Sequence, residues 1–170
     1  MPKQIYLCGF MGSGKSTILK RLRTSQEING YDLDELILEK TQFSSVGALV
    51  HAKGWDFFRA LEQEIIKEFY STPATSSQSF VLALGGGALN APLAKILNER
   101  GELIWLNTPF ELCYERILAQ GETRPLLALG KVGLQKLFDE RVSQYGLSKH
   151  HFSVEIQEKI VDLTSLRNFL

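Results

Sequence analysis

Short runs of consecutive apolar residues recur along the chain and predict β-strands that are buried on both faces. The clearest runs lie at about 4–8, 80–84 and 103–106, and shorter strands are predicted near 28–31 and 152–156. Strands of this kind are typical of parallel sheets, in which other elements cover both faces. The pattern therefore predicts a parallel sheet in the interior of the protein.

The segments between these runs carry apolar residues at spacings of three and four, which predicts amphipathic helices. In 56–70, where the pattern is clearest, the apolar positions are Phe58, Leu61, Ile65, Ile66 and Phe69. Further helices are predicted at about 15–24, 32–40, 91–99, 109–120, 131–145 and 163–169, with a loop and a short helix at 41–53. Strands that alternate with helices predict an α/β domain with helices on both faces of the sheet.

Local sequence signals predict several helix ends and loops. Residues 108–111 have the sequence of a capping box, with a proline at the first helical position. Small and polar residues at 71–79 predict a loop. The glycine-bounded segment 121–130 predicts a second loop, and Arg124 lies within it.

The composition is that of an ordinary globular protein with one domain. The 170 residues are 44% hydrophobic and 22% charged, which is enough apolar material for a substantial core. The 19 basic and 19 acidic side chains balance, so no overall positive field favours nucleic acid or a membrane as a partner. No apolar run is long enough to span a bilayer, and the first strand begins too early to leave room for a signal peptide. We therefore expect a cytoplasmic protein, and we also expect it to be a monomer.

Residues 9–16 match the phosphate-binding loop pattern G-x-x-x-x-G-K-[ST] at every fixed position. The loop follows a predicted strand and precedes a predicted helix, which is the context that the motif requires. Glycines allow successive backbone N–H groups to face one concavity, and the helix adds its own free N–H groups and the positive end of its dipole. The alternative is a glycine-rich turn that carries a lysine by chance, and the complete match disfavours it.

This loop indicates that the protein binds a nucleoside triphosphate. Lys15 is placed to reach the β- and γ-phosphates, and the Ser16 hydroxyl is placed to bind Mg²⁺. The residues expected to bind the nucleotide are Gly12, Ser13, Gly14, Lys15, Ser16 and Thr17. The motif alone does not choose between an ATPase, a switch GTPase and a small-molecule kinase, so other residues must indicate the acceptor.

Two aspartates, Asp32 and Asp34, follow the predicted second strand. In extended backbone, side chains two residues apart point the same way, so one could serve Mg²⁺ and the other the acceptor hydroxyl. Capping of the next helix is the alternative role for an acidic residue here. A P-loop site usually takes its metal-side aspartate from the end of a buried strand. Strand 80–84 ends in glycines and strand 103–106 ends in Asn107, so Asp32 is the best candidate.

Several arginines suit an anionic ligand, because a guanidinium group can contact a carboxylate or phosphate through two hydrogen bonds. Arg59 and Glu62 are one helical turn apart, so Glu62 could orient the guanidinium for a ligand, although the spacing alone favours a surface salt bridge. Arg124 lies in the glycine-bounded loop, as expected of an arginine that reaches over a transferring phosphoryl group. Arg141 adds a further guanidinium. Each arginine alone is more typical of a solvated surface charge.

Taken together, six motifs resemble those of the shikimate kinases. They are Gly9-Phe10-Met11-Gly12-Ser13-Gly14-Lys15-Ser16-Thr17, Asp32-Leu33-Asp34, Phe58-Arg59-Ala60-Leu61-Glu62, Leu84-Gly85-Gly86-Gly87-Ala88, Arg124-Pro125-Leu126-Leu127 and Arg141-Val142-Ser143-Gln144-Tyr145. They occur in the family's order and approximate spacing over about residues 4–150, and their combination is specific. The segment 54–57 reads Gly-Trp-Asp-Phe where the family usually has Gly-Glu, so the resemblance gives no role to Trp55 or Asp56.

The resemblance implies a three-layer α/β fold of the P-loop kinase type, in a single domain over 1–170. Its sheet would have five parallel strands in the order 2-3-1-4-5, flanked by helices. The lid is expected at about 121–130 and the substrate-binding helices at about 32–70. The implied activity is ATP-dependent phosphorylation of the 3-hydroxyl of shikimate, a step towards the aromatic amino acids, with ATP and Mg²⁺ at the nucleotide side.

The resemblance also implies a role for each matching residue. The catalytic residues would be Lys15, Asp34 and Arg124, of which Asp34 contacts the acceptor hydroxyl as the candidate base and Arg124 comes from the lid to the nucleotide. The shikimate-binding residues would be Asp34, Arg59, Gly85, Gly86, Gly87 and Arg141. In this set Arg59 and Arg141 clamp the carboxylate, and the three glycines bring backbone close to the hydroxyls. The residues that serve Mg²⁺ would be Ser16 and Asp32.

Two other functions compete with this interpretation. A related small-metabolite kinase such as gluconate kinase shares the phosphate loop and the fold, and an arginine pair favours an anionic acceptor without excluding gluconate. A nucleotide-dependent binding or switch module without transfer activity would bind ATP but show no turnover stimulated by an acceptor. Assays with each acceptor separate these possibilities.

Overall fold

Apolar runs form the strands of one parallel sheet at the centre of the protein. A computed structural model describes residues 4–24, 28–71, 79–120 and 125–170 of the chain. Its strands are β1 Gln4–Cys8, β2 Asn29–Asp32, β3 Phe80–Ala83, β4 Glu102–Leu106 and β5 His150–Phe152. Within the described residues they form a five-stranded sheet in the order β2-β3-β1-β4-β5, in which every neighbouring pair is parallel. The predicted strand order is therefore confirmed.

Helices connect the strands and cover both faces of the sheet. Those before β4 are α1 Lys15–Thr24, α2 Leu33–Thr41, α3 Val46–Lys53, α4 Trp55–Ser71 and α5 Ala91–Arg100. Those after β4 are α6 Phe110–Ala119, the 3-10 helix Pro125–Leu129, α7 Gly130–Tyr145, α8 Val154–Lys159 and α9 Leu163–Arg167. Within the described residues, no helix is both long enough and apolar enough to cross a membrane.

Alternate residues of the central strand face two separate hydrophobic clusters, which explains why the strand is apolar throughout. Tyr6 and Cys8 belong to the cluster that includes the buried face of α4. Ile5 and Leu7 belong to the opposite cluster, which includes the buried face of α1. All four side chains are fully buried. Because successive side chains of a strand point to opposite faces, only an uninterrupted apolar run can fill both clusters.

The register of the parallel strands brings their carboxyl ends to one edge of the sheet. Leu7 of β1 pairs with Ala83 of β3 and Ile104 of β4, and Asp32 of β2 pairs with Ala83. Ligands of open α/β sheets bind at this edge, where the strands run out into loops. The phosphate loop, the aspartate pair and the glycine turn 85–87 therefore all begin at the same edge.

The structure corrects three local predictions. The last strand lies at His150–Phe152, and residues 154–159 form a helix in place of the predicted strand at 152–156. The capping box at 108–111 does not form. The N-cap residue is Pro109, whose side chain has no hydrogen-bonding atom, and the Thr108 hydroxyl donates to Ser13 O at 2.8 Å instead. Part of the loop predicted at 121–130 is the 3-10 helix at 125–129.

Candidate active site

A cleft of about 780 Å³ opens at the carboxyl edge of the sheet, between the phosphate loop and α2, α3 and α4. It is lined by seven of the charged or glycine positions predicted for the acceptor and the metal: Asp32, Asp34, Arg59, Gly85, Gly86, Gly87 and Arg141. From the phosphate loop and α1 it is lined by Gly12, Gly14, Lys15, Ser16 and Thr17. A single cleft thus contains both the nucleotide motif and the predicted acceptor residues.

The phosphate loop has the curled backbone that the motif predicts. Gly14 has a φ of 107°, in the left-handed region that favours glycine. The Lys15 ammonium group donates hydrogen bonds to Gly9 O at 2.7 Å and to Phe10 O at 2.9 Å. Ser13 is buried and does not line the cleft, and its carbonyl accepts the hydrogen bond from Thr108. The loop is therefore held both by its own lysine and by the end of β4.

The two aspartates have different environments. Asp32 is the N-cap residue of α2, and its Oδ1 accepts hydrogen bonds from Asp34 N at 2.9 Å and Glu35 N at 3.4 Å. Asp32 therefore caps α2, which is the alternative role predicted for it from the sequence. Burial raises the pKa of the Asp32 carboxyl. Asp34 faces the glycine turn: a β-carbon at Gly85 would lie 3.6 Å from Asp34 Oδ1.

Arg59 and Glu62 form an ion pair that is buried on the Glu62 side and one third exposed on the Arg59 side, rather than the surface salt bridge that their spacing favours. The Glu62 side chain is 0% exposed, and its Oε2 accepts from Arg59 Nη1. Glu62 Oε1 has no hydrogen-bond partner among the described residues. The Arg59 guanidinium lies 5.3 Å from the ring centroid of Trp55 and 5.4 Å from that of Phe58, within the range of cation–π contacts.

The guanidinium groups of Arg59 and Arg141 meet at the glycine turn. A β-carbon at Gly87 would overlap the Arg59 guanidinium and lie 2.8 Å from Arg141 Nη2. Burial lowers the pKa of Arg141, and the nearby Arg59 acts in the same direction. Two like charges approach each other here, which makes the turn a strong candidate for binding an anion.

Known proteins resemble this chain in sequence and in fold. The family model described as "Shikimate kinase" matches residues 11–167 of the chain. The chain belongs to the shikimate kinase family. A shikimate kinase of Persephonella marina is 34% identical over 154 residues, which cover 90% of this chain and 90% of that protein. The solved shikimate kinase from Acinetobacter baumannii in complex with shikimate is 29% identical, has a TM-score of 0.81 and covers 100% of this chain and 96% of that one.

A second solved shikimate kinase, from Aquifex aeolicus, is 31% identical with a TM-score of 0.72, and the match covers 97% of this chain and 96% of that one. Both similarities extend over almost the whole length of the chains. The fold, the family and the class of enzyme predicted from the six motifs are therefore confirmed.

The buried Gln157 and two half-buried arginines, Arg21 and Arg116, make hydrogen bonds on the nucleotide side of this shikimate kinase fold. The Gln157 amide donates to Thr108 Oγ1 at 3.1 Å and to Phe152 O at 3.0 Å, which joins α8 to the end of β4. Arg21 Nη1 donates to Gln157 O at 3.1 Å. Arg116 lines the cleft and donates to Gly12 O at 3.2 Å. No motif predicts the contacts of Gln157 with Thr108, of Arg21 with Gln157 or of Arg116 with Gly12, because these partners are distant in the chain.

The structure places every predicted site residue of this family except Arg124 and Ser13 on the cleft. Arg124 lies outside the described residues. Trp55, to which the resemblance assigns no role, lines the cleft beside Arg59, while Asp56 is an exposed residue at the start of α4 and does not line it. The individual roles of these residues remain predictions.

Proposed function

We propose that this chain transfers the γ-phosphoryl group of ATP to the 3-hydroxyl of shikimate and releases ADP and shikimate 3-phosphate. The observation that carries the proposal is the convergence of Arg59 and Arg141 at Gly87, in the same cleft as Lys15 and Asp34. Such a cleft offers cations for an acceptor carboxylate at one end and a phosphate-binding loop at the other. Shikimate kinase activity in the relatives supports the same acceptor.

At the nucleotide side, the loop N–H groups and the start of α1 would bind the phosphates, with residues 12–17 as the contact segment. Lys15, oriented by its hydrogen bonds to Gly9 O and Phe10 O, would present its ammonium charge to the phosphate oxygens, where it stabilises the transferring group. Arg124 would add a second cation from the lid at 121–130, and lid closure would exclude water that otherwise hydrolyses ATP.

At the acceptor side, Asp34 would accept the proton of the shikimate 3-hydroxyl as the oxygen attacks the γ-phosphorus. It lies beside Gly85, in the turn whose backbone would approach the shikimate hydroxyls. A positioned carboxylate of this kind increases the rate of the reaction about 10²- to 10⁴-fold. Arg59 and Arg141 would hold the shikimate carboxylate, and Glu62 would orient Arg59 from its buried side.

The donor set of Ser16 and Asp32 fits a magnesium ion. A hydroxyl and a carboxylate are the hard oxygen ligands that Mg²⁺ takes together with substrate phosphates. Both side chains line the cleft, and the helix-capping hydrogen bonds of Asp32 use Oδ1. When bound, Mg²⁺ supplies neutralisation of the negative charge on the β- and γ-phosphates. We also propose that the protein works as a cytoplasmic monomer without nucleic acid or membrane.

The test is a coupled assay of ADP release with shikimate, with gluconate and without acceptor, supported by phosphorus NMR of the product. We expect turnover that requires shikimate and a phosphate ester at its 3-hydroxyl. Turnover with gluconate alone would favour the related metabolite kinase, and ATP binding without acceptor-stimulated turnover would favour the binding module. A calorimetric titration of shikimate, with and without ADP and Mg²⁺, measures acceptor binding independently of chemistry.

The Gly87→Ala variant should weaken shikimate binding, because the added methyl group displaces both guanidinium groups of the clamp. We expect the shikimate KM to rise roughly 10- to 100-fold, since a displacement of about 1 Å at such a site has effects of this size. The matched control is Gly47→Ala. Gly47 lines the same cleft, but a β-carbon at this position would have its nearest neighbour, Pro125 Cγ, at 3.6 Å. An unchanged KM in Gly87→Ala would contradict the clamp.

Shikimate binding should weaken as the pH falls below about 6. Burial raises the pKa of Glu62 to about 6, against the opposing effect of Arg59. Glu62 is therefore charged above this pH and protonated below it, and its protonation removes the charge that holds Arg59. Initial rates between pH 5 and 8 should show this rise in the shikimate KM, and Glu62→Gln should remove the step near pH 6. A step of the same size in Glu62→Gln would assign it to another group.

A further inference from the structure

A buried tyrosine at the end of α7 contacts the glycine turn of the acceptor site. Tyr145 is 1% exposed, and its hydroxyl donates a hydrogen bond to Gly86 O. The two residues are 59 positions apart in the chain. Neither the phosphate loop nor the acceptor contacts proposed above use this hydroxyl, so the fifth residue of the Arg141–Tyr145 motif has no role in that mechanism.

The framework around Tyr145 fixes the position of its ring. The ring centroid lies 6.1 Å from that of Trp105 in β4. The Tyr145 carbonyl accepts a hydrogen bond from Ser148 N at 3.0 Å, and Ser148 Oγ lies 3.2 Å from Cys8 Sγ in β1. The end of α7 is thus attached to two central strands, and these contacts restrain the position of the Tyr145 hydroxyl relative to the sheet.

The accepting peptide lies between the phosphate loop and the acceptor clamp. A β-carbon at Gly86 would lie 3.5 Å from Arg141 Nη1 and 3.5 Å from Met11 N. Arg141 is one helical turn before Tyr145, so the same helix presents both the guanidinium and the hydroxyl to the turn. The Tyr145 hydroxyl also opposes the effect of burial on the pKa of Arg141, which indicates that the two groups interact.

We infer that the Tyr145 hydroxyl is a positioning group for the acceptor site: it holds the Gly86 peptide against α7, so that the glycine turn and Arg141 form one rigid surface for shikimate. This inference rests on the proposed function. Without the hydrogen bond, Gly86 O would be left without this partner, and the turn would lose its attachment to the helix that carries Arg141. Tyr145 itself does not touch the reacting atoms and acts only through Gly86 and Arg141.

The test is the Tyr145→Phe variant, which keeps the ring and its packing on Trp105 and removes the hydroxyl. We expect the shikimate KM to rise about 5- to 30-fold, the size expected for loss of one buried hydrogen bond and its unpaired carbonyl, while the ATP KM changes less than about twofold. Calorimetry of shikimate without nucleotide should show the same loss in affinity. An unchanged shikimate KM, or equal rises for both substrates, would overturn the inference.

The matched control is Tyr6→Phe. Tyr6 is also fully buried, and its hydroxyl donates to Gln4 Oε1 at 2.9 Å, away from the cleft. We expect Tyr6→Phe to lower the melting temperature by an amount similar to Tyr145→Phe without changing the shikimate KM. A shikimate KM raised equally in both variants would show a general loss of stability and overturn the inference. Absence of shikimate turnover in the unmodified protein would instead reject the proposed function, so the two failures are distinguishable.

Discussion

Replacing Asp34 by asparagine should lower the rate of phosphoryl transfer to shikimate about 10²- to 10⁴-fold and leave ATP affinity within about twofold of the unmodified protein. Asparagine has nearly the same shape as aspartate but cannot accept a proton from the 3-hydroxyl. Asp34 lies beside Gly85, while Lys15, proposed to bind the phosphates, lines the same cleft from the phosphate loop. Single-turnover rates and a nucleotide titration measure the two effects separately.

Glu35→Gln provides the control for Asp34→Asn. Glu35 is the next residue of α2, lines the same cleft, and forms an ion pair with Arg23 at 2.6 Å that is largely exposed. Its replacement removes one negative charge from the same region, and we expect less than about a threefold change in kcat because exposed pairs contribute little. Near-normal turnover in Asp34→Asn, or an equal loss in both variants, would remove Asp34 from the mechanism.

The Arg59→Ala variant should raise the shikimate KM about 100-fold and change the ATP KM much less. The expected size follows from the loss of about 2–5 kcal/mol when one member of a buried charge pair is truncated. Arg59 is one of two guanidinium groups at Gly87, and the other, Arg141, would hold the carboxylate alone. Steady-state kinetics with each substrate varied in turn provide the measurement.

Removal of Arg59 also leaves Glu62 buried without its counter-ion, which by itself destabilises the protein. The double variant Arg59→Ala/Glu62→Gln removes both charges and separates this loss of stability from the loss of the clamp. We expect it to recover melting temperature but not shikimate affinity. The reciprocal control is Arg116→Ala. Arg116 donates a hydrogen bond to Gly12 O on the nucleotide side, so its replacement should raise the ATP KM instead of the shikimate KM. Equal effects of Arg59→Ala on both substrates would contradict a carboxylate clamp.

The features predicted correctly from sequence are those encoded by short segments. The run through Ile5 and Leu7 predicts a strand because both faces of the sheet require apolar side chains, and the structure shows each face filled by alternate residues. The phosphate loop predicts its own backbone, because only glycine suits positions such as Gly14. Family motifs indicated the candidate acceptor residues, and these residues line one cleft.

The features that sequence could not predict depend on contacts between distant segments. The Thr108 hydroxyl has the local sequence of a cap, but it donates to Ser13, 95 residues away in the chain. The pair Arg59 and Glu62 has the spacing of a weak surface salt bridge, and only the packing of α4 against the sheet shows that Glu62 is fully buried. Local patterns contain no information about which side chain will occupy the space opposite them.

The hydrogen bonds of Lys15 to Gly9 O and Phe10 O have a consequence for nucleotide affinity. A lysine side chain that is ordered in the folded protein has already lost much of its rotational entropy, so ATP binding need not order it again. Affinity for ATP therefore depends on the integrity of the loop carbonyls as well as on direct contacts. Substitutions that loosen this backbone should accelerate nucleotide dissociation even when every group that touches the triphosphate is retained.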